Sequence, residues 1–223
     1  MSIKYKIIYI SVHPDDETLG CGGTILRTTD WGYDVYWLNI TSHNLEDSEN
    51  TQHNRDNIIA KVGDVYNFKE IINFKYPDQH LDTVSLLSII SEISNTFQKI
   101  KPDIIFIPNR SDVHSDHRIS FDSIIAASKN FRAPFTKGIY MYETLSETEF
   151  APALAENAFI PNTFVDITDY IDKKIEIMKL YDTEIMPDPL PRSVHAIKGL
   201  AAFRGSRIGV RFAEAFMCIF QRF

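Results

Sequence analysis

Cysteine is nearly absent. Cys21 and Cys218 are the two in 223 residues, which leaves no disulfide framework and fits a reducing compartment. Both are expected to pack as small hydrophobic side chains. The chain shows no basic-then-apolar leading segment and no apolar run long enough to span a bilayer, so the sequence reads as cytoplasmic. Positive charge is in deficit. The net charge of −7 argues against nucleic acid or an anionic membrane surface as the main partner. No internal repeat or low-complexity tract occurs. A Gly-x-Gly-x-x-Gly spacing is missing too: Gly20, Gly22 and Gly23 cluster differently, behind an acidic run that would repel a pyrophosphate. What is present is an ordinary soluble composition, 44% hydrophobic and 24% charged. The length, residues 1–223, suits one domain with a sizeable core.

Local patterns give the elements. Ile7, Ile8, Tyr9, Ile10 and Val12 form a short, partly β-branched apolar run, as in a central parallel strand over residues 4–12. Further strands are predicted over 33–40, 69–74, 103–108 and 137–143, and a sixth over 163–167. Between them, helices are predicted over 18–29, 52–66, 82–100 and 115–131, with Thr41–Thr51 as a polar loop. In 82–100, Leu86, Ile90, Ile93, Phe97 and Ile100 recur at steps of four, three, four and three, which is one helix face. Later helices are expected from Thr168 or Asp169 to Tyr181 and over 194–203, joined by a proline-rich connector, Met186–Arg192. Strands alternating with helices imply an α/β fold: a Rossmann-like, mostly parallel sheet with helices on both faces. Ligands of such sheets sit beyond the carboxyl ends of the strands, where strand order reverses.

Two strands end in polar bursts. The first is His13-Pro14-Asp15-Asp16-Glu17, an imidazole and three carboxylates directly after an apolar strand. The second is Asn109–His117, ending Asp112-Val113-His114-Ser115-Asp116-His117. Unpaired carboxylates are costly to bury, and a divalent cation is the simplest reason to gather them. If the first and fourth strands are neighbours, the bursts meet. His13, Asp16 and His117 then offer two imidazoles and one carboxylate, a donor set suited to a catalytic zinc with a position left open for water. Iron(II) accepts the same donors. Zinc would acidify water and polarise a carbonyl. Asp15, next to Asp16 but aimed differently, is the candidate general base. His114 could stabilise an oxyanion or protonate a leaving nitrogen, and Asp116 could hold His114 in one tautomer. The remaining histidines, His43, His53, His80 and His195, are expected at the surface or in satisfied bonds.

With these two motifs, each after an apolar strand, the chain resembles the PIG-L/LmbE family. The resemblance covers most of the chain and implies a Rossmann-like fold and a zinc-dependent de-N-acetylase of N-acetylglucosaminyl compounds and related amides. It gives His13, Asp16 and His117 as metal ligands, Asp15 as base, and His114 with Asp116 as the assisting pair. Arg55 stands where the family often has a substrate-contacting arginine, although Ile58 replaces the usual acidic residue and Thr41-Ser42-His43 the usual Thr-x-Gly. Arg204-Gly205…Gly209…Ala213-Glu214…Phe216 resembles the family's carboxy-terminal pattern, in which Arg204 and Glu214 order a loop or face another subunit. A small N-acetylated sugar or glycoconjugate is the implied substrate, and the resemblance admits a homo-oligomer. The competing classes are a Rossmann-like sugar or nucleotide binder with a vestigial metal site, and a metal hydrolase for another amide or ester.

Overall fold

The computed structural model describes residues 4–43 and 48–223. Seven strands form one sheet in the order β3-β2-β1-β4-β5-β7-β6. They are β1 (Lys6–Ser11), β2 (Asp34–His43), β3 (Glu70–Pro77), β4 (Ile104–Pro108), β5 (Gly138–Tyr142), β6 (Thr163–Asp166) and β7 (Ala213–Gln221). The first five pair in parallel. β7 runs antiparallel to β5 and to β6. The helices are α1 (Asp16–Asp30), α2 (Glu49–Tyr66), α3 (Leu86–Ile100), α4 (Ser115–Ala127), α5 (Ile171–Met178) and α6 (Val194–Ser206).

Alternation along β1 divides the core. Ile7 and Tyr9 face a cluster that includes Leu19, Cys21 and Ile25 of α1, Val62 and Tyr66 of α2, Ile175 of α5 and Ile197 of α6. Ile8, Ile10 and Val12 face the opposite cluster, with Ile89, Ile93 and Phe97 of α3 and Ile124 of α4. Helices therefore cover both faces, and β1 is buried on both of them, which accounts for its unbroken apolar run.

α1 lies unusually close to the sheet. A Cβ on Gly20 would stand 2.2 Å from Cδ2 of Tyr142, and one on Gly23 2.5 Å from Cγ2 of Ile167. The glycine cluster thus serves helix–sheet packing. Tyr142, buried on β5, donates from its hydroxyl to the Ile10 carbonyl at 2.7 Å.

Several boundaries differ from those expected. The predicted 82–100 helix begins as a short 3-10 turn, Leu81–Thr83, before α3 starts at Leu86. Its buried face is Ile89, Ile93, Thr96, Phe97 and Ile100, while Leu86 is 48% exposed. Ile93, Phe97 and Ile100 lie on the expected face, and the difference is confined to the first turns, where Ile89 is buried in place of Leu86. α4 stops at Ala127 rather than near 131. β2 continues to His43 and shortens the expected polar loop, of which residues 44–47 and the side chains of Ser42 and His43 lie outside the described residues. β7 had no predicted counterpart. Its Glu214 is buried in the chain's own interior, not at a loop or subunit face: it accepts from the Gly23 and Thr24 amides at 2.9 and 2.8 Å and pairs with Lys174 at 2.7 Å. Arg204 grips Glu143 with two hydrogen bonds, at 2.8 and 2.6 Å. Arg204 therefore ties α6 to the segment that follows β5, and Glu214 ties β7 to α1 and α5.

Candidate active site

β1 and β4 are hydrogen-bonded neighbours, and strand order reverses between them. The two polar bursts consequently meet beyond their carboxyl ends, around a cavity of about 270 Å³. His13 leaves the end of β1. Asp16 opens α1, and its Oδ2 accepts from the amides of Val12 and His13 at 2.9 and 2.8 Å. Across the crevice, His117 sits in the first turn of α4, fully buried.

Ring and carboxylate atoms of His13, Asp16 and His117 lie within 4.8 Å of one another. His117 Nε2 is 3.3 Å from Asp16 Oδ2 and 3.4 Å from His13 Nδ1, and His13 Nδ1 is 3.9 Å from Asp16 Oδ2. A tetrahedron with arms of about 2.0–2.1 Å has edges of about 3.3–3.4 Å, so the spacing fits a first-row divalent cation. Proton positions agree. His117 Nδ1 is 2.8 Å from Asp112 Oδ2, and because a carboxylate can only accept, Nδ1 carries the hydrogen and Nε2 presents a lone pair. In the neutral ring that lone pair faces a carboxylate oxygen at 3.3 Å, an arrangement that either a proton or a metal cation between the two satisfies.

The electrostatics make the same demand. Burial favours a neutral His13, but Asp116, Asp78 and Asp16 outweigh it and push the ring up to about 10. Burial is likewise outweighed at His117, which Asp16 and Asp112 raise well above the usual imidazole range. Burial would lift Asp16, yet His117 and His13 hold it well below the usual carboxylate range. The pocket thus stabilises positive charge among these three side chains, as a group that could hold a metal ion does.

Asp15 lies outside this trio but lines the same cavity. Its backbone adopts φ 142° and ψ −29°, a region that favours glycine. Its amide donates to Glu17 Oε2 at 3.1 Å. Glu17, wholly buried, is held in turn by the Thr18 and Tyr181 hydroxyls at 2.6 and 2.7 Å. Burial first, then Asp16 and Glu184, raises the Asp15 carboxyl well above its usual value, against the pull of Arg192.

The assisting pair is arranged differently from expectation. The Asp116 carboxylate accepts from the amides of Gln79 and Leu81 at 2.8 and 3.2 Å, and its Oδ2 stands 3.6 Å from His13 Nε2. It does not bond the His114 ring. Instead, the Asp116 amide donates to His114 Nδ1 at 3.1 Å, so that His114 caps α4. Backbone, not carboxylate, sets the His114 tautomer. Burial, with His13 and His117 nearby, holds that ring below the usual imidazole value, so the neutral form carries its hydrogen on Nε2.

Arg55 is half-buried and lines the cavity. Sequence reasoning missed four contributors. Asp112 orients His117; Asp78 Oδ1 stands 3.0 Å from His13 Nε2; Arg192 reaches Asp15; and Glu147 accepts from the His114 amide at 3.2 Å. Asp112 alone had a signal, its place in the second burst. The others arrive from turns and connectors whose sequence marks a bend and nothing more. Cys21 is buried in the core and is not among the groups that could hold a metal ion.

Comparison with known proteins gives a consistent picture. The family model described as PIG-L, GlcNAc-PI de-N-acetylase, matches residues 8–128, which contain both bursts. The diacetylchitobiose deacetylase of Thermococcus kodakarensis is 25% identical over 224 aligned residues, covering 94% of this chain and 81% of that protein. Among solved structures, the N,N'-diacetylchitobiose deacetylase of Pyrococcus horikoshii superposes with a TM-score of 0.74 at 23% identity, over 96% of this chain and 84% of the other. A conserved protein of Thermus thermophilus superposes with a TM-score of 0.78 at 23% identity, over 98% and 96%.

Proposed function

The chain belongs to the PIG-L, GlcNAc-PI de-N-acetylase, family, and from that premise we propose that it is a metal-dependent hydrolase that removes the acetyl group from an N-acetylated, N-acetylglucosaminyl-type sugar or sugar conjugate and releases acetate. The observation that carries this reading is the convergence of His13, Asp16 and His117 at ligand spacing, with a second carboxylate, Asp15, beside them and outside that group.

His13, Asp16 and His117 would hold the cation, zinc by donor type, with iron(II) served by the same donors. Bound there, such an ion lends Lewis acidity to the acyl oxygen and to water. The protein's own groups do the rest. Asp15, made a stronger base by its burial and by neighbouring carboxylates, takes a proton from the attacking water as oxygen bonds to the acyl carbon. His114 donates from Nε2 to the acyl oxygen as negative charge gathers there. When the carbon–nitrogen bond breaks, the proton on Asp15 passes to the leaving nitrogen, giving a free amine and acetate. Arg55 contacts the sugar from the cavity wall. The curated relative, named for a diacetylated amino sugar, supports an uncharged saccharide as substrate. We take residues 1–223 as one working domain, and reduced Cys21 and Cys218 suit a cytoplasmic setting. Among the described residues, no helix is long and apolar enough to cross a membrane.

The test is acetate release from a panel of N-acetylated sugars and other acylated amines, with and without chelator. Release from N-acetylglucosaminyl compounds, lost on chelation and restored by zinc, is expected. Full zinc occupancy with saccharide binding but no acetate would overturn the hydrolase in favour of a binding module.

A further inference from the structure

Asp15 occupies the N-cap position of α1, yet its side chain makes no capping hydrogen bond. The usual partner of an aspartate at this position is the helix's own first turn. Here the backbone is fixed, by the unusual dihedrals and the Glu17 contact, while the carboxylate is left to something else. That something is Arg192. Its Nη1 lies 3.4 Å from Asp15 Oδ2 and 3.0 Å from Glu184 Oε2.

Arg192 is itself held. It immediately precedes Ser193, whose hydroxyl caps α6 by accepting from the Ala196 amide at 3.1 Å. Its carbonyl accepts from the Met186 amide at 3.2 Å, closing the connector on itself. The side chain is 19% exposed, and its Nε is buried without a hydrogen-bond partner. An arginine placed for its own hydrogen bonding would not leave that group orphaned, since a buried donor without a partner is destabilising. The placement favours the contact at Nη1 over the comfort of the rest of the fork.

We propose that Glu184 and Arg192 form a positioning pair for Asp15: Glu184 fixes the guanidinium, and the guanidinium fixes the carboxylate in the orientation from which it accepts the water's proton. This rests on the reading of Asp15 as the base. Arg192 is then a positioning residue and not a contact to the saccharide.

The test measures acetate release, metal content and thermal melting of Arg192→Gln, Arg192→Lys and Glu184→Gln beside Asp15→Asn. Misplacing a reacting group by about 1 Å costs on the order of 10²-fold, so Arg192→Gln should lose about that in kcat with KM within about threefold and metal content unchanged. Arg192→Lys should recover part of the loss, because it restores charge without the planar fork. Glu184→Gln, at a partly exposed site, should fall in the same direction by about tenfold. Arg192→Gln added to Asp15→Asn should cost nothing further. A rise in KM with kcat preserved would make Arg192 a saccharide contact and overturn the proposal, as would full activity in both Arg192→Gln and Glu184→Gln. Failure of the underlying reading looks different: Asp15→Asn would itself keep turnover.

Discussion

His117 shows how much a single contact decides. The Asp112 carboxylate at 2.8 Å commits one ring nitrogen to a hydrogen and so frees the other as a ligand. Asp112→Asn can present its N–H to that nitrogen instead and destabilise the working tautomer. We expect metal affinity to fall about 10–100-fold, read by competition with a chromogenic chelator. His117→Ala should lose the metal outright, which elemental analysis of purified protein would reveal. Asp15→Asn should keep the metal and lose about 10²–10⁴ in kcat; retained turnover would remove Asp15 as base. At this scale the convergence of His13, Asp16 and His117 was legible because chain direction does the work: an apolar strand that stops at a histidine and acids can aim them in one direction only. Asp78 and Arg192 were not, and Asp112, though inside the second burst, carried no sign of its partner. An aspartate in a turn looks the same in sequence whether it meets water or an imidazole.

The N-terminal end of α1 carries two of the candidate ligand and base positions, so what fastens that helix fastens the site. Glu214 does so from β7 by gathering the amides of Gly23 and Thr24 and the ammonium of Lys174, whose Nζ also donates to the Leu19 carbonyl at 2.7 Å. Glu214→Leu would strand those donors in the interior and cost about 3–5 kcal/mol. Lys174→Met leaves the carboxylate with its amide donors and should cost less. Urea unfolding of both would check the order, and equal small losses would show that the cluster contributes little. The inner strands and their helices were readable because each buries a periodic face. β7 was not. Its Met217-to-Gln221 half is half-buried to exposed at the sheet margin, and its inner half holds a glutamate where a hydrophobic residue would have marked a strand. α3 was recognised with Ile93, Phe97 and Ile100 on its buried face, and only its first turns differ, since Leu86 with Ile90 and Ile89 with Ile93 fit a helical repeat about equally well.

Over the whole molecule, charge and stability set the terms of use. The cavity wall carries Asp15, Asp16, Asp78, Glu147 and Glu184 against Arg55 and Arg192, on a chain of net charge −7. Among acetylated sugars that all fit, a phosphorylated one should therefore be turned over with a kcat/KM about tenfold below its uncharged counterpart, and the gap should narrow as salt is added. The backbone of Asp15 has a further consequence. A non-glycine residue held in that region costs about 1–3 kcal/mol, more than the roughly 0.5–1 kcal/mol of chain freedom that a glycine forfeits on folding. Asp15→Gly should therefore melt a few degrees higher than the parent and release no acetate. A library selected only for surviving heat would drift toward glycine there and go silent, and a heat-hardened descendant of this protein should be sequenced at position 15 before anyone asks why it no longer works.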